Sequence, residues 1–116
     1  MDTFNMQSNA TVSASTNISS IAVVGSNVLL NNEIVKKSIQ YKFSTDLGNS
    51  NAINGKMARL VVNCFVKEGN IDTVMADTKI SFTLSDGSHS HAYEAKKLKI
   101  FNDLFVATAD VTLKIS

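Results

Sequence analysis

The chain has 116 residues, 44% hydrophobic and 18% charged, with a formal net charge of +1, a single cysteine and neither proline nor tryptophan. That length suits one domain, able to bury about 65% of its unfolded surface without covalent staples. Near-neutrality gives no field to draw nucleic acid or anionic lipid. No apolar run nears the ~18 residues of a membrane span. The lone Cys64 excludes an internal disulfide.

No nucleic-acid or membrane partner is therefore expected. The start of the chain lacks a basic-then-apolar stretch, so no secretion signal is read there, and the expected location is the cytoplasm or a virion. Arg59 is the only arginine beside ten lysines, and Asn and Ile are frequent. Such usage follows from AT-rich codons and points to a low-GC bacterium, its phages or a virus.

The first 32 residues carry one charge, Asp2, and half of them are Ser, Thr, Asn or Gln. Residues 1–17 are expected to be a flexible or arm-like polar segment, since termini without anchoring contacts are mobile and an extended arm can add a strand to another sheet. Residues 18–116 are expected to be a single β-rich domain. The apolar stretch from Ile18 to Leu30 predicts a strand and a turn, with Gly25-Ser26-Asn27 as the break.

Period-two alternation then dominates, as in strands with one wet and one buried face. Glu33 to Ser44 predicts a long strand with Val35, Ile39, Tyr41 and Phe43 on one face. Residues 46–55 form a loop by composition, ending in Asn54-Gly55, a pair suited to positive φ. Lys56 to Lys67 predicts a strand with Leu60, Val62, Cys64 and Val66 on one side and Val61 and Phe65 on the other, which implies a central strand or one covered by a partner. After a turn at Glu68-Gly69-Asn70, Thr73 to Ser85 predicts the return arm of an antiparallel hairpin.

Residues 92–101 read as a strand paired with residues 78–85, with a short helix as the alternative. Phe105 to Ile115 closes the fold as a strand, so loss of the last ten residues is expected to abolish folding. The expected architecture is all-β, or mainly β with one short helix: an antiparallel sandwich or barrel-like domain of around seven strands. Its expected core is Ile39, Tyr41, Phe43, Leu60, Val62, Val66, Ile80, Phe82, Leu84, Ile100, Phe105, Val111 and Leu113.

Motifs for chemistry are few. His89 and His91 are the metal-ligand candidates: as His-Ser-His on extended backbone they would project to one side, with only Asp86 and Glu94 nearby to complete the three or four ligands a site requires. Cys64, inside an apolar run, reads as a small buried hydrophobe rather than a nucleophile. Lys96, Lys97 and Lys99 read as a solvated face or a guarded edge rather than a phosphate-contacting patch. No GxGxxG, GxxxxGK or GxSxG pattern occurs. No catalytic residue or cofactor is assigned, and the chain is not expected to be an enzyme.

The favoured reading is a non-enzymatic structural or protein-interaction subunit that self-associates as a homo-oligomer, plausibly in a phage or viral particle. It rests on apolar residues on both faces of strands and on an uncharged opening segment. The alternative is a protein-binding module, either a holdase-type chaperone or an inhibitor of another protein.

Overall fold

Two strands at the centre of the chain's largest sheet organise the rest. The computed structural model describes all of residues 1–116, with ten strands and two short helices: β1 (Asp2–Met6), β2 (Thr11–Ser19), β3 (Val23–Leu30), β4 (Glu33–Ser38), β5 (Lys42–Asn49), α1 (Ser50–Ile53), β6 (Met57–Phe65), α2 (Ile71–Asp77), β7 (Lys79–Ser85), β8 (Ser90–Glu94), β9 (Lys96–Lys99) and β10 (Leu104–Ile115). The six-stranded sheet runs β1-β10-β6-β3-β4, and β9 shares with β1 the remaining edge of β10. The four-stranded sheet runs β5-β2-β7-β8. Every pairing is antiparallel except β1 with β10.

The two sheets face each other as a sandwich because each has one continuous apolar face. Alternate residues of β6 (Ala58, Leu60, Val62, Cys64) and β10 (Phe105, Ala107, Ala109, Val111, Leu113) are buried, and Val12, Ala14, Ile18, Ile80, Phe82 and Leu84 answer them from the smaller sheet. Complete burial of a Leu or Phe stabilises by roughly 1.5–3 kcal/mol, so this interdigitated layer is the main favourable term. The molecule measures 47 × 21 × 20 Å. Its long axis follows β10, whose twelve residues span about 40 Å at roughly 3.3 Å each.

Several sequence expectations need correction. Residues 1–17 are not a loose tail: they form β1 and most of β2, and Phe4, Met6, Val12, Ala14 and Thr16 are buried. Polar residues alternate there with buried ones, and β1 finds its partner within the same chain, at the far end of the sequence. Gly25-Ser26-Asn27 is no break but the middle of β3. The turn comes at Asn31-Asn32, whose φ angles of 52° and 70° make the tight hairpin that joins β3 to β4. The predicted long strand from Glu33 to Ser44 is two strands in different sheets.

The predicted hairpin of β6 with β7 is also absent. Asn70 caps a helix instead, its side chain accepting from the N–H groups of Asp72 and Thr73. Ile71 and Val74, three residues apart, face the core. The chain then crosses to the other sheet. Two short helices occur, neither of them in residues 92–101, which form β8 and β9. β8 pairs with β7 as expected, and β9 crosses to the larger sheet after Ala95. The Asn54-Gly55 turn has the expected positive φ, 84° at Gly55, closed by Lys56 N–H donating to Ile53 O.

Among the expected core residues, Leu60, Val62, Ile80, Phe82, Leu84, Phe105, Val111 and Leu113 are buried. Phe43 and Val66 are partly buried against the core. Ile39, Tyr41 and Ile100 are exposed, because each lies outside a strand, where alternation no longer decides which way a side chain points.

Candidate functional site

The histidines are part of the sandwich's closure. By alternation from Met6, whose carbonyl accepts Ser116 N–H on the β10 side, the carbonyls of Thr3 and Asn5 face away from β10. There the Tyr93 hydroxyl donates to Thr3 O at 3.3 Å, and His89 Nε2–H donates to Asn5 O at 2.8 Å. His89 Nδ1 lies 3.4 Å from Asp86, and its ring sits 5.6 Å from that of Phe4. His91 packs on Tyr93 instead, with ring centroids 4.6 Å apart. His89 is thus engaged in holding β1, and no three His, Cys, Asp or Glu side chains gather into a metal-holding group. These contacts also cap the carbonyls of an otherwise open strand edge.

Asp86 anchors the same corner. Its buried carboxylate accepts the backbone N–H groups of Gln7 (2.9 Å), Ser88 (2.9 Å) and His89 (3.0 Å). Burial alone pushes this carboxyl up. The three N–H donors and the adjacent His89 outweigh that and hold it below the ordinary carboxylate value.

The lysine cluster separates along β9. Lys97 Nζ donates to Met75 O at 2.6 Å and Thr78 O at 2.7 Å, capping the C-terminal end of α2. Lys99 pairs with Asp72 at 3.4 Å, and Lys96 is exposed. Cys64 is fully buried. Desolvation pushes its thiol up to about 11, although nearby Lys97 pulls the other way, so the thiolate a nucleophile needs is not formed near neutrality.

What remains unsatisfied is hydrophobic surface at one end. On the outer face of the larger sheet, the strand register sets Val23, Phe65 and Leu104 side by side in one row, and Gly25, Asn63, Val106 and Leu98 in the next. Ile21, Ile39, Tyr41, Ile100 and Phe101 flank these rows from the loops at the same end. Eight of the eleven large apolar side chains left exposed lie there; only Met1, Ile34 and Val35 do not. Val23, Ile39 and Phe65 line a common shallow cavity, together with Gly25, Asn27, Lys37 and Asn63. A patch of this breadth is unusual for a surface that stays in water.

The opposite end has a different chemistry. Asn9 N–H donates to Asn51 Oδ1, Asn49 Nδ2 to Asn9 Oδ1, and Asn51 N–H to Asn49 Oδ1. Gln7, Ser8, Asn31, Asn32 and Ser88 complete an exposed end rich in amides and hydroxyls. The outer edge strand β4 displays Ile34 and Val35, but Lys36 and Lys37 follow, and the β3–β4 register shifts between Val28 and Leu29. Lysines and a bulge both discourage pairing with another strand.

Ile39 and Ile100, expected inside, are instead exposed here, and Ile21, Leu98 and Phe101 join them as surface that the sequence alone does not single out. The available signal was their position: Ile21 follows Ser19-Ser20, and Phe101 precedes Asn102-Asp103, so both are apolar residues within turns. No helix is long and apolar enough to cross a membrane. Compared with known proteins, the chain matches no family model, no curated sequence and no solved structure.

Proposed function

We propose that this protein is a non-enzymatic structural subunit that self-associates through its apolar end, as a component of a phage or viral particle. The observation that carries the reading is the band of exposed Val23, Phe65 and Leu98 across neighbouring strands, bordered by apolar loop residues. Removing such area from water is the usual driving force of association. Composition supports the setting, since Asn-rich, Arg-poor usage fits AT-rich phage and viral coding sequences.

Sedimentation velocity over a concentration series tests this reading. The expected result is a concentration-dependent oligomer for the native chain and, for half-exposed Phe65→Asp, a monomer that still melts cooperatively but at a lower temperature, since it loses the stabilisation association provides. A native chain that remains monomeric at tens of micromolar would overturn the proposal. If that monomer also suppressed aggregation of an unfolded client, the chaperone reading would replace it.

A further inference from the structure

We infer that the partner of the apolar end is the same end of a second copy, related by a two-fold axis, giving a closed, elongated dimer rather than a growing filament. This rests on the self-association reading and adds the geometry of the contact.

The first argument is area. The exposed apolar side chains at this end have 39% to 82% of their surface in water. Eight residues of that size present on the order of 800 Å², about what one partner contributes to a standard interface. The patch also spans the larger sheet from β3 to β9, so it forms one surface rather than scattered residues.

The second argument is complementarity. A head-to-tail contact would press this patch onto the asparagine-rich end and strip water from amides that gain no partner there, at a cost of roughly 1–3 kcal/mol for each group left unpaired. The surface on this molecule that matches an apolar patch is the patch itself, and self-complementary contact is what a two-fold axis produces. The rim carries both signs: Lys37 and Lys67 stand with Glu68 and Asp103, while Lys99 already pairs with Asp72 within the chain. The remaining self-pairing route, edge to edge along β4, meets Lys36, Lys37 and the bulge described above.

Distances between spin labels test this. Asn102→Cys sits at the apolar end, outside the apolar patch itself, and Asn32→Cys at the opposite end; both positions are exposed, and buried Cys64 stays unlabelled. Because the two-fold overlaps the patch-bearing faces at one end of each molecule, with the two long axes pointing away from each other, labelled Asn102→Cys should give separations within about 30 Å, of the order of the 21 × 20 Å cross-section. Labelled Asn32→Cys should give none below about 60 Å, because its two labels would lie nearly two molecular lengths apart. A short distance only in a mixture of the two variants would mean head-to-tail stacking and would overturn the two-fold contact while leaving self-association intact. Oligomers with short distances in the Asn32→Cys sample alone, or in none of the three, would also overturn it. A monomer by sedimentation would remove both readings.

Discussion

The carboxylate of Asp86 accepts the backbone N–H of Gln7 at 2.9 Å, joining residues 79 positions apart. Through this bond the β7–β8 loop grips the link between β1 and β2, and the N-terminal strand becomes part of the sandwich. The same carboxylate takes two further N–H groups from its own loop, so the three bonds stand or fall with one charge.

Acid stability should report that charge. Because the folded carboxyl lies below its ordinary value, ionised Asp86 favours the folded state; its contribution is complete above about pH 5 and is lost as pH falls below about 4 towards the lowered folded value. Asp86→Asn removes this titration and weakens the N–H acceptors. The expected loss is about 1–3 kcal/mol at neutral pH, with a shallower decline of stability on acidification. Urea melts of both proteins across pH 3 to 7, a range chosen to bracket the ordinary carboxylate value of about 4, measure it. An unchanged acid limb would remove Asp86 from this role.

Phe4 separates a docked strand from a tail. Its side chain is 2% exposed, on β1 beside Leu113 of β10 and against His89. Phe4→Ala should cost about 3–5 kcal/mol, the usual penalty for emptying a buried aromatic site. A disordered tail would show no change in denaturant midpoint.

Lys97 caps α2 from β9 of the larger sheet. Replacing it with Met keeps most of the apolar stem and removes both charge-assisted bonds to Met75 O and Thr78 O. The loss should be about 1.5–3 kcal/mol, reduced somewhat because Lys97 is only partly buried. Amide hydrogen exchange in Ile71–Asp77 should accelerate more than in β6. Uniform acceleration across the molecule would show that the cap is not local.

Thr16 offers a change in the opposite direction. It is 3% exposed on the inner face of β2, and its hydroxyl reaches no protein partner. Thr16→Val keeps the branched shape and removes the polar atom, so stability should rise by about 1 kcal/mol. A lower melting temperature would mean that the hydroxyl is satisfied in solution.

Alternation made the strands visible wherever a strand lies flat between core and water. The inward sets of β6, β7 and β10 follow directly from Leu60-Val62-Cys64, Ile80-Phe82-Leu84 and Val111-Leu113, as does the sandwich-type class. These are local consequences of side chains pointing to opposite faces of extended backbone. The exposed apolar end is only half legible in the sequence: Phe65 on the second face of β6 points to an uncovered sheet. Ile39 and Ile100 continue the apolar period but lie beyond the ends of β4 and β9, where it no longer sets orientation.

Local pattern determines which residues share a face, but not which strand lies beside which, since any two strands with matching faces can pair. That choice comes from long-range contacts. The parallel docking of β1 on β10, the crossing of the chain at Asn70 into α2 and β7, and the grip of Asp86 on Gln7 all join segments that no short window of sequence contains. The same packing gathers Ile21, Val23, Phe65, Leu98 and Phe101 at one end, because the directions in which β3, β6, β9 and β10 run bring their turns together.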